Sequence, residues 1–203
     1  MTVLDDRIEM ADVDHERLDE WFRRLERMPV PEGYRVEIVG GNIHMTPQRD
    51  PHWKIIFQIA YAITERFGMD ATVLSDVRID FPGHANGFCP DVVKLRESAE
   101  KDAEGRWRHE DVEFVAEVIS AGTAADDYGP KKTAYAVAEV PLYLVADPYQ
   151  GRCHVFTHPK DGDYTTETRV VFGEDVDLTG TVLDLALETG RFPRDQVTRG
   201  PGS

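Results

Sequence analysis

The stretch VEFVAEVIS, residues 112–120, is apolar on both faces of an extended chain, the pattern of a strand covered on each side inside a sheet, with Glu117 as the exception in its middle. Upstream, ATVLSDVRID (71–80) and FCPDVVKL (88–95) read as two further strands, the second opening with Pro90-Asp91, around a Pro/Gly/His/Asn-rich loop at 82–87. Downstream, a polar loop at 121–127 leads into a helix over 128–138, where Pro130 is tolerated only in the first turn. PLYLVAD (141–147) is another buried strand, and RCHVFT (152–157) and DYTTETRVVF (163–172) read as an antiparallel finish. LTGTVLDLALETG (178–190) is an apolar segment of unassigned type.

On the N-terminal side, Leu18, Trp21, Phe22, Leu25 and Met28 recur at helical spacing over 14–28, with Asp12 or Asp14 as the cap. YRVEIV (34–39), Gly40-Gly41 and NIHMT (42–46) form a hairpin pattern that encloses Glu37. Asp50-Pro51 reads as a cap and first-turn proline. Trp53, Ile56, Ile59, Ala60, Ile63 and Phe67 then give one core-facing stripe of a long helix that ends near Gly68. Residues 97–113 hold seven acids against three bases and no apolar period, as in a solvated loop. The order of elements predicts an α/β protein, a mixed sheet with helices on both faces.

Of 203 residues, 38 are acidic and 23 basic, and this net charge of -15 argues against a protein that coats nucleic acid electrostatically. Two distant cysteines make no disulfide framework. With no basic-then-apolar leader and no long apolar run, the sequence predicts a cytoplasmic protein without a membrane partner.

Three acids sit where acids are expensive. Glu37 lies between Val36 and Ile38, Asp91 opens an apolar strand, and Glu117 is central in the most apolar one. Buried carboxylates call for a cation. A hard divalent ion such as Mg²⁺ accepts one or two carboxylates and a carbonyl and leaves positions for water and phosphate. Pairing of each acid with a nearby Arg or Lys is the competing explanation. His84, Cys89, Cys153 and His154 match no compact zinc spacing.

The Asp91 and Glu117 motifs resemble the Pro-Asp and Asp/Glu-x-Lys pattern of the PD-(D/E)XK nucleases, whose core is α-βββ-α-β. More closely, YRVEIVGGNIHMTP, PHWKII, CPDVVKL, EFVAEVISAGT and DDYGPKKTAYAVAEVPLYLVADP, in this order from residue 34 to 148 and weakly on to 192, resemble the Uma2 family of restriction endonucleases. The resemblance implies a restriction-endonuclease-like core at 34–192, preceded by a helical arm (1–33), extended by the antiparallel strands and followed by a flexible tail (193–203), in one domain. It also implies Mg²⁺- or Mn²⁺-dependent cleavage of phosphodiester bonds in DNA.

One departure matters: Ile119 stands where the wider pattern has lysine. Asp127, Lys131 and Tyr135 share a helical face at i, i+4 and i+8, which makes Lys131 the expected migrated lysine, with Lys132 about 100° away. The expected catalytic set is therefore Glu37, Asp91, Glu117 and Lys131. Asp91, Glu117 and the Val118 carbonyl would hold the metal, and His52, Lys94 and Lys132 would contact substrate. A positive rim of Lys94, Arg96 and Lys131 or Lys132 is expected, and its lack would count against nucleic acid. The alternative is a catalytically silent nuclease fold serving as a binding or regulatory module. A homodimer is expected for two-strand cutting, through the N-terminal helix or the late strands.

Overall fold

The computed structural model describes residues 15–28, 34–47, 49–120 and 122–195. The acidic leader with its Asp12 and Asp14 caps, and most of the expected tail, lie outside them. Helix α1 (His15–Leu25) is shorter than its apolar period, and Met28, beyond its end, is exposed rather than packed. Its face of Leu18, Trp21, Phe22 and Leu25 lies on Ile38 and Ala85. A side chain at Gly87 would meet Phe22 at 2.6 Å, so the glycine is what lets the helix seat.

Strands β1 (Tyr34–Val39) and β2 (Asn42–Pro47) form the expected hairpin, with Val39 opposite Asn42. Gly40 and Gly41 both take positive φ (56° and 77°), which a tight two-residue hairpin turn demands. Helix α2 (Asp50–Phe67) carries Pro51 in its first turn, but Arg49 is the cap residue and Asp50 the first helical one. Ile55, Ile56, Ile59 and Ile63 are almost fully buried. Burial of each stabilises the fold by roughly 1.5–3 kcal/mol. The single-stripe expectation is corrected here, because Trp53 and Phe67 point outward.

The expected strand at 71–80 splits. β3 (Val73–Leu74) joins one sheet and β4 (Ile79–Phe81) another, with Asp76 between them at φ 55°. The expected loop at 82–87 runs into strand β5 (Asn86–Phe88), where the Asn86 side chain donates to the Pro82 carbonyl and accepts from the Gly40 amide. The small sheet thus runs β2-β1-β5-β4. β6 (Val92–Leu95), β7 (Val112–Val118), β8 (Leu142–Asp147), β9 (Arg152–Lys160) and β10 (Asp163–Val171) build the large sheet, in the order β10-β9-β8-β7-β6-β3. Only β7 and β8 are parallel within it. Their crossover holds α3 (Ala124–Tyr128), a short helix where a polar loop is expected, and α4 (Pro130–Val137), the expected helix, with Gly129 between them.

Alternation along β7 sends Phe114, Ala116 and Val118 toward α2 and Val115, Glu117 and Ile119 toward α4. Both faces are therefore covered, as the opening stretch predicts. The segment over 178–190 is largely irregular. Its Ala186–Leu187 strand β12 pairs with β11 (Val176–Asp177), and Leu178, Leu183 and Leu187 extend the core on the α2 side. No helix among the described residues is long and apolar enough to cross a membrane.

Candidate active site

Four elements deliver ionisable side chains to one point between the two sheets. On β1, Arg35 and Glu37 stand two residues apart and therefore share a face, and both are buried. Asp91 immediately precedes β6, Glu117 lies near the end of β7, and Lys131 projects from α4, all essentially inaccessible.

Lys131 Nζ is the hub. It lies 2.6 Å from Glu117 Oε1, 3.1 Å from Asp127 Oδ1 and 3.2 Å from Glu37 Oε1, so three acceptors meet its three protons. Tyr135 Oη donates to Glu117 Oε1 at 2.6 Å, and the Cys89 amide donates to Glu37 Oε1 at 2.9 Å. The Asp127, Lys131, Tyr135 face read from the sequence survives the break at Gly129.

Asp91 faces the other cation. Its Oδ1 is in direct contact with Arg35 Nη1, and its Oδ2 accepts from the Val118 amide at 2.7 Å. The same Arg35 nitrogen stands 4.0 Å from Glu117 Oε2 and 3.4 Å from Asp76 Oδ1, and it donates to the Cys89 carbonyl at 3.1 Å. His52 Nε2 lies 2.8 Å from the Val118 carbonyl and 3.2 Å from Asp91 Oδ2. A carbonyl only accepts, so Nε2 carries the proton.

The ionisation pattern follows from this geometry. Burial pushes Glu117 up to about 8, against the pull of Lys131 and with help from the neighbouring acids. Burial acts on Asp91 in the same sense, but Arg35 and His52 outweigh it and hold that carboxyl well below its usual range. Glu37 is likewise lowered, by Lys131 and Arg35 against burial, whereas burial leaves Asp127 raised. Lys131 stays charged because its three acids overcome its desolvation. Four carboxylates against two fixed cations leave a surplus of two negative charges when all are ionised.

Among the described residues, no three His, Cys, Asp or Glu side chains converge in a geometry suited to a metal ion. The donor chemistry nevertheless fits a hard cation. Glu117 Oε2 is buried with no hydrogen-bond partner, and Arg35 Nη1, a positively charged group, already lies between it and Asp91.

Of the other expected contacts, Lys132 pairs with Asp163 at 2.8 Å, and Lys94 pairs with Glu113 and lies over the Phe67 ring. Arg96 pairs with Asp111 at 3.2 Å. With Lys131 buried, all four members of the expected positive rim are neutralised by carboxylates, so the expected rim is not formed, and this counts against nucleic acid. Cys89 and Cys153 are buried free thiols, each pushed up to about 12 by burial. Arg35 and Asp76 are the site residues that sequence reasoning missed. For Arg35 the signal was present, since alternation along 34–39 puts it on the face of Glu37. Asp76 approaches only because the chain turns between β3 and β4.

Comparison with known proteins agrees with this architecture. A crystal structure titled as "a putative nuclease belonging to DUF820 from Anabaena variabilis" superposes with a TM-score of 0.66 at 16% identity, over 86% of this chain and 96% of that one. At that identity the likeness shows the fold. No curated protein matches the sequence. The model of the Uma2 family, described as "Putative restriction endonuclease", matches residues 20–190. That span covers most of the molecule and every residue of the buried cluster, and the chain belongs to the Uma2 family.

Proposed function

We propose that this protein is a divalent-metal-dependent nuclease that hydrolyses phosphodiester bonds in DNA. The observation that carries the reading is the convergence of Glu37, Asp91, Glu117 and Lys131 from four elements, with a buried, unpartnered oxygen of Glu117 beside Asp91. Asp91, Glu117 and the Val118 carbonyl would hold Mg²⁺ or Mn²⁺, which when bound supplies Lewis-acid polarisation of the phosphate and a more acidic water. Lys131, oriented by Asp127 and Glu37, places a fixed positive charge beside Glu117, where it can align the attacking water and offset charge developing on phosphorus. Tyr135 fixes the Glu117 carboxyl, and His52 sets the direction of the Val118 carbonyl. Asp91→Ala and Glu117→Ala should each abolish Mn²⁺-dependent cleavage of plasmid DNA with an unchanged far-UV circular dichroism spectrum, and retained activity would overturn the assignment.

A second reading is a silent nuclease fold that serves as a binding or regulatory module. It is favoured by the pairing of Asp91 with Arg35 and of Glu117 with Lys131 and by the neutralised rim. The two readings separate on metal. A catalytic site gives Mn²⁺-dependent thermal stabilisation that vanishes in Asp91→Ala, because an ion that binds only the native state raises its melting temperature. A silent module gives none.

A further inference from the structure

Helix α2 has a second apolar face. Trp53, Phe57 and Tyr61 are 54%, 57% and 56% exposed, although the isoleucines opposite them are buried. Their rings form a ladder, with centroids 6.5 and 6.2 Å apart and the Phe57–Tyr61 pair stacked. Four-residue spacing extends the row at both ends, to exposed Arg49 at the helix cap and exposed Glu65 in the last turn. The sequence Arg49-x₃-Trp53-x₃-Phe57-x₃-Tyr61-x₃-Glu65 is thus one i±4 ridge, basic at its start, aromatic along its middle and acidic at its end.

We infer that this ridge is a homodimer interface, in which a second copy of the chain packs its own α2 antiparallel across a two-fold axis at Phe57. Rotation about Phe57 exchanges position 49 with 65 and 53 with 61. Arg49 of each copy then faces Glu65 of the other, Trp53 faces Tyr61, and Phe57 meets its own counterpart. A two-fold interface requires such self-complementarity, and interdigitation of i±4 ridges is the commonest mode of helix packing. A parallel arrangement would oppose like charges.

The area is consistent with an interface core. Half-exposed aromatic rings amount to on the order of 300 Å² per copy, the centre of an interface that needs about 800 Å² per partner. A groove of about 450 Å³ between α2 and the 186–191 segment flanks the ridge. It is lined by Phe57, Tyr61, Leu187 and Arg191 among others, and can take up the partner's side chains. The N-terminal helix expected to serve this role spends its apolar face internally on the small sheet. Single-stranded nucleic acid stacked on the ladder is disfavoured, because the flanking groove sets two acids, Glu65 and Glu188, against one base, Arg191, and gives no net phosphate neutralisation.

Sedimentation equilibrium of the full chain tests this without reference to activity or metal. The wild type should be a dimer, and Phe57→Glu a monomer with an unchanged circular dichroism spectrum. Arg49→Glu and Glu65→Arg should each weaken dimerisation by about tenfold, two rim pairs being lost per dimer, and the double variant should restore it. Phe57→Cys should give a disulfide-linked dimer on mild oxidation. A monomeric wild type, a dimer untouched by Phe57→Glu, or charge reversals that do not compensate would each overturn the inference. So would a ladder needed only for binding an oligonucleotide.

Discussion

Arg35 holds Asp91 in an ion pair sealed from solvent, and the nitrogen that makes the contact also stands 4.0 Å from the unpartnered oxygen of Glu117. One guanidinium therefore lies between the two carboxylates proposed to hold a metal. It has a second set of partners at hand, with Nη2 3.5 Å from Glu37 and Nη1 3.4 Å from Asp76.

Replacement of Arg35 by Met leaves Asp91 buried beside no permanent cation. Loss of one partner of a buried pair costs roughly 3–5 kcal/mol, so urea denaturation of the metal-free variant should show a loss of that size. Mn²⁺ should recover more stability in Arg35→Met than in the wild type, and titration calorimetry should show tighter Mn²⁺ binding. Equal or weaker binding would mean that Arg35 does not compete for the site.

Lys131 and its sequence neighbour separate a buried role from a surface one. Lys131→Met leaves Asp127 without a counter-charge and Glu37 and Glu117 with Arg35 alone, and should lower both stability and cleavage. Removal of a comparable electrostatic group costs about 10²–10³ in kcat. Lys132→Ala breaks the pair with Asp163 and the contact of the ammonium with the Phe156 ring, and should change stability by only about 1 kcal/mol. Comparable losses in the two variants would contradict the geometry.

Glu117 sets a pH dependence of definite sign. Its folded pKa is raised to about 8, so the native state retains a proton that the unfolded chain releases near the ordinary glutamate value. Its contribution to stability is complete below about pH 4.5 and is lost as pH rises through about 8. Asp91, depressed in the folded state, contributes throughout that window. Urea midpoints measured from pH 5 to 8.5 should therefore fall more steeply in the wild type than in Glu117→Gln. Because a metal must displace this proton, Mn²⁺ affinity should rise with pH up to about 8.

Gly87→Ala tests the docking of α1. The added carbon would lie 2.6 Å from the Phe22 ring, so the helix must shift from the small sheet. A loss of about 1–3 kcal/mol is expected, as for other overpacked sites. An unchanged melting temperature would show that α1 contributes little there.

The doubly apolar stretch at 112–120 and the period of α2 were legible in the chain because burial leaves its mark on every residue of an element. The same held for Glu37, Asp91 and Glu117, each an acid in apolar company, and for Lys131, placed by helical spacing beside Asp127 and Tyr135. The split of 71–80 between two sheets was not legible, since strand propensity is local and sheet membership depends on which edge is open. The outward turn of Trp53 and Phe67 was hidden for a related reason: an aromatic residue suits a core and an interface equally well.

The sequence by itself determined the α/β architecture, the family and three of the buried acids, Glu37, Asp91 and Glu117, all of which follow from the order and local chemistry of residues. Only the tertiary structure decided what neutralises those acids. The approach of Arg35 to Asp91, the threefold grip of Lys131 and the pairing of Lys94, Arg96 and Lys132 with surface carboxylates depend on distances between chain-remote side chains. At such distances a few ångströms decide whether a charge is paired, protonated or left to recruit an ion.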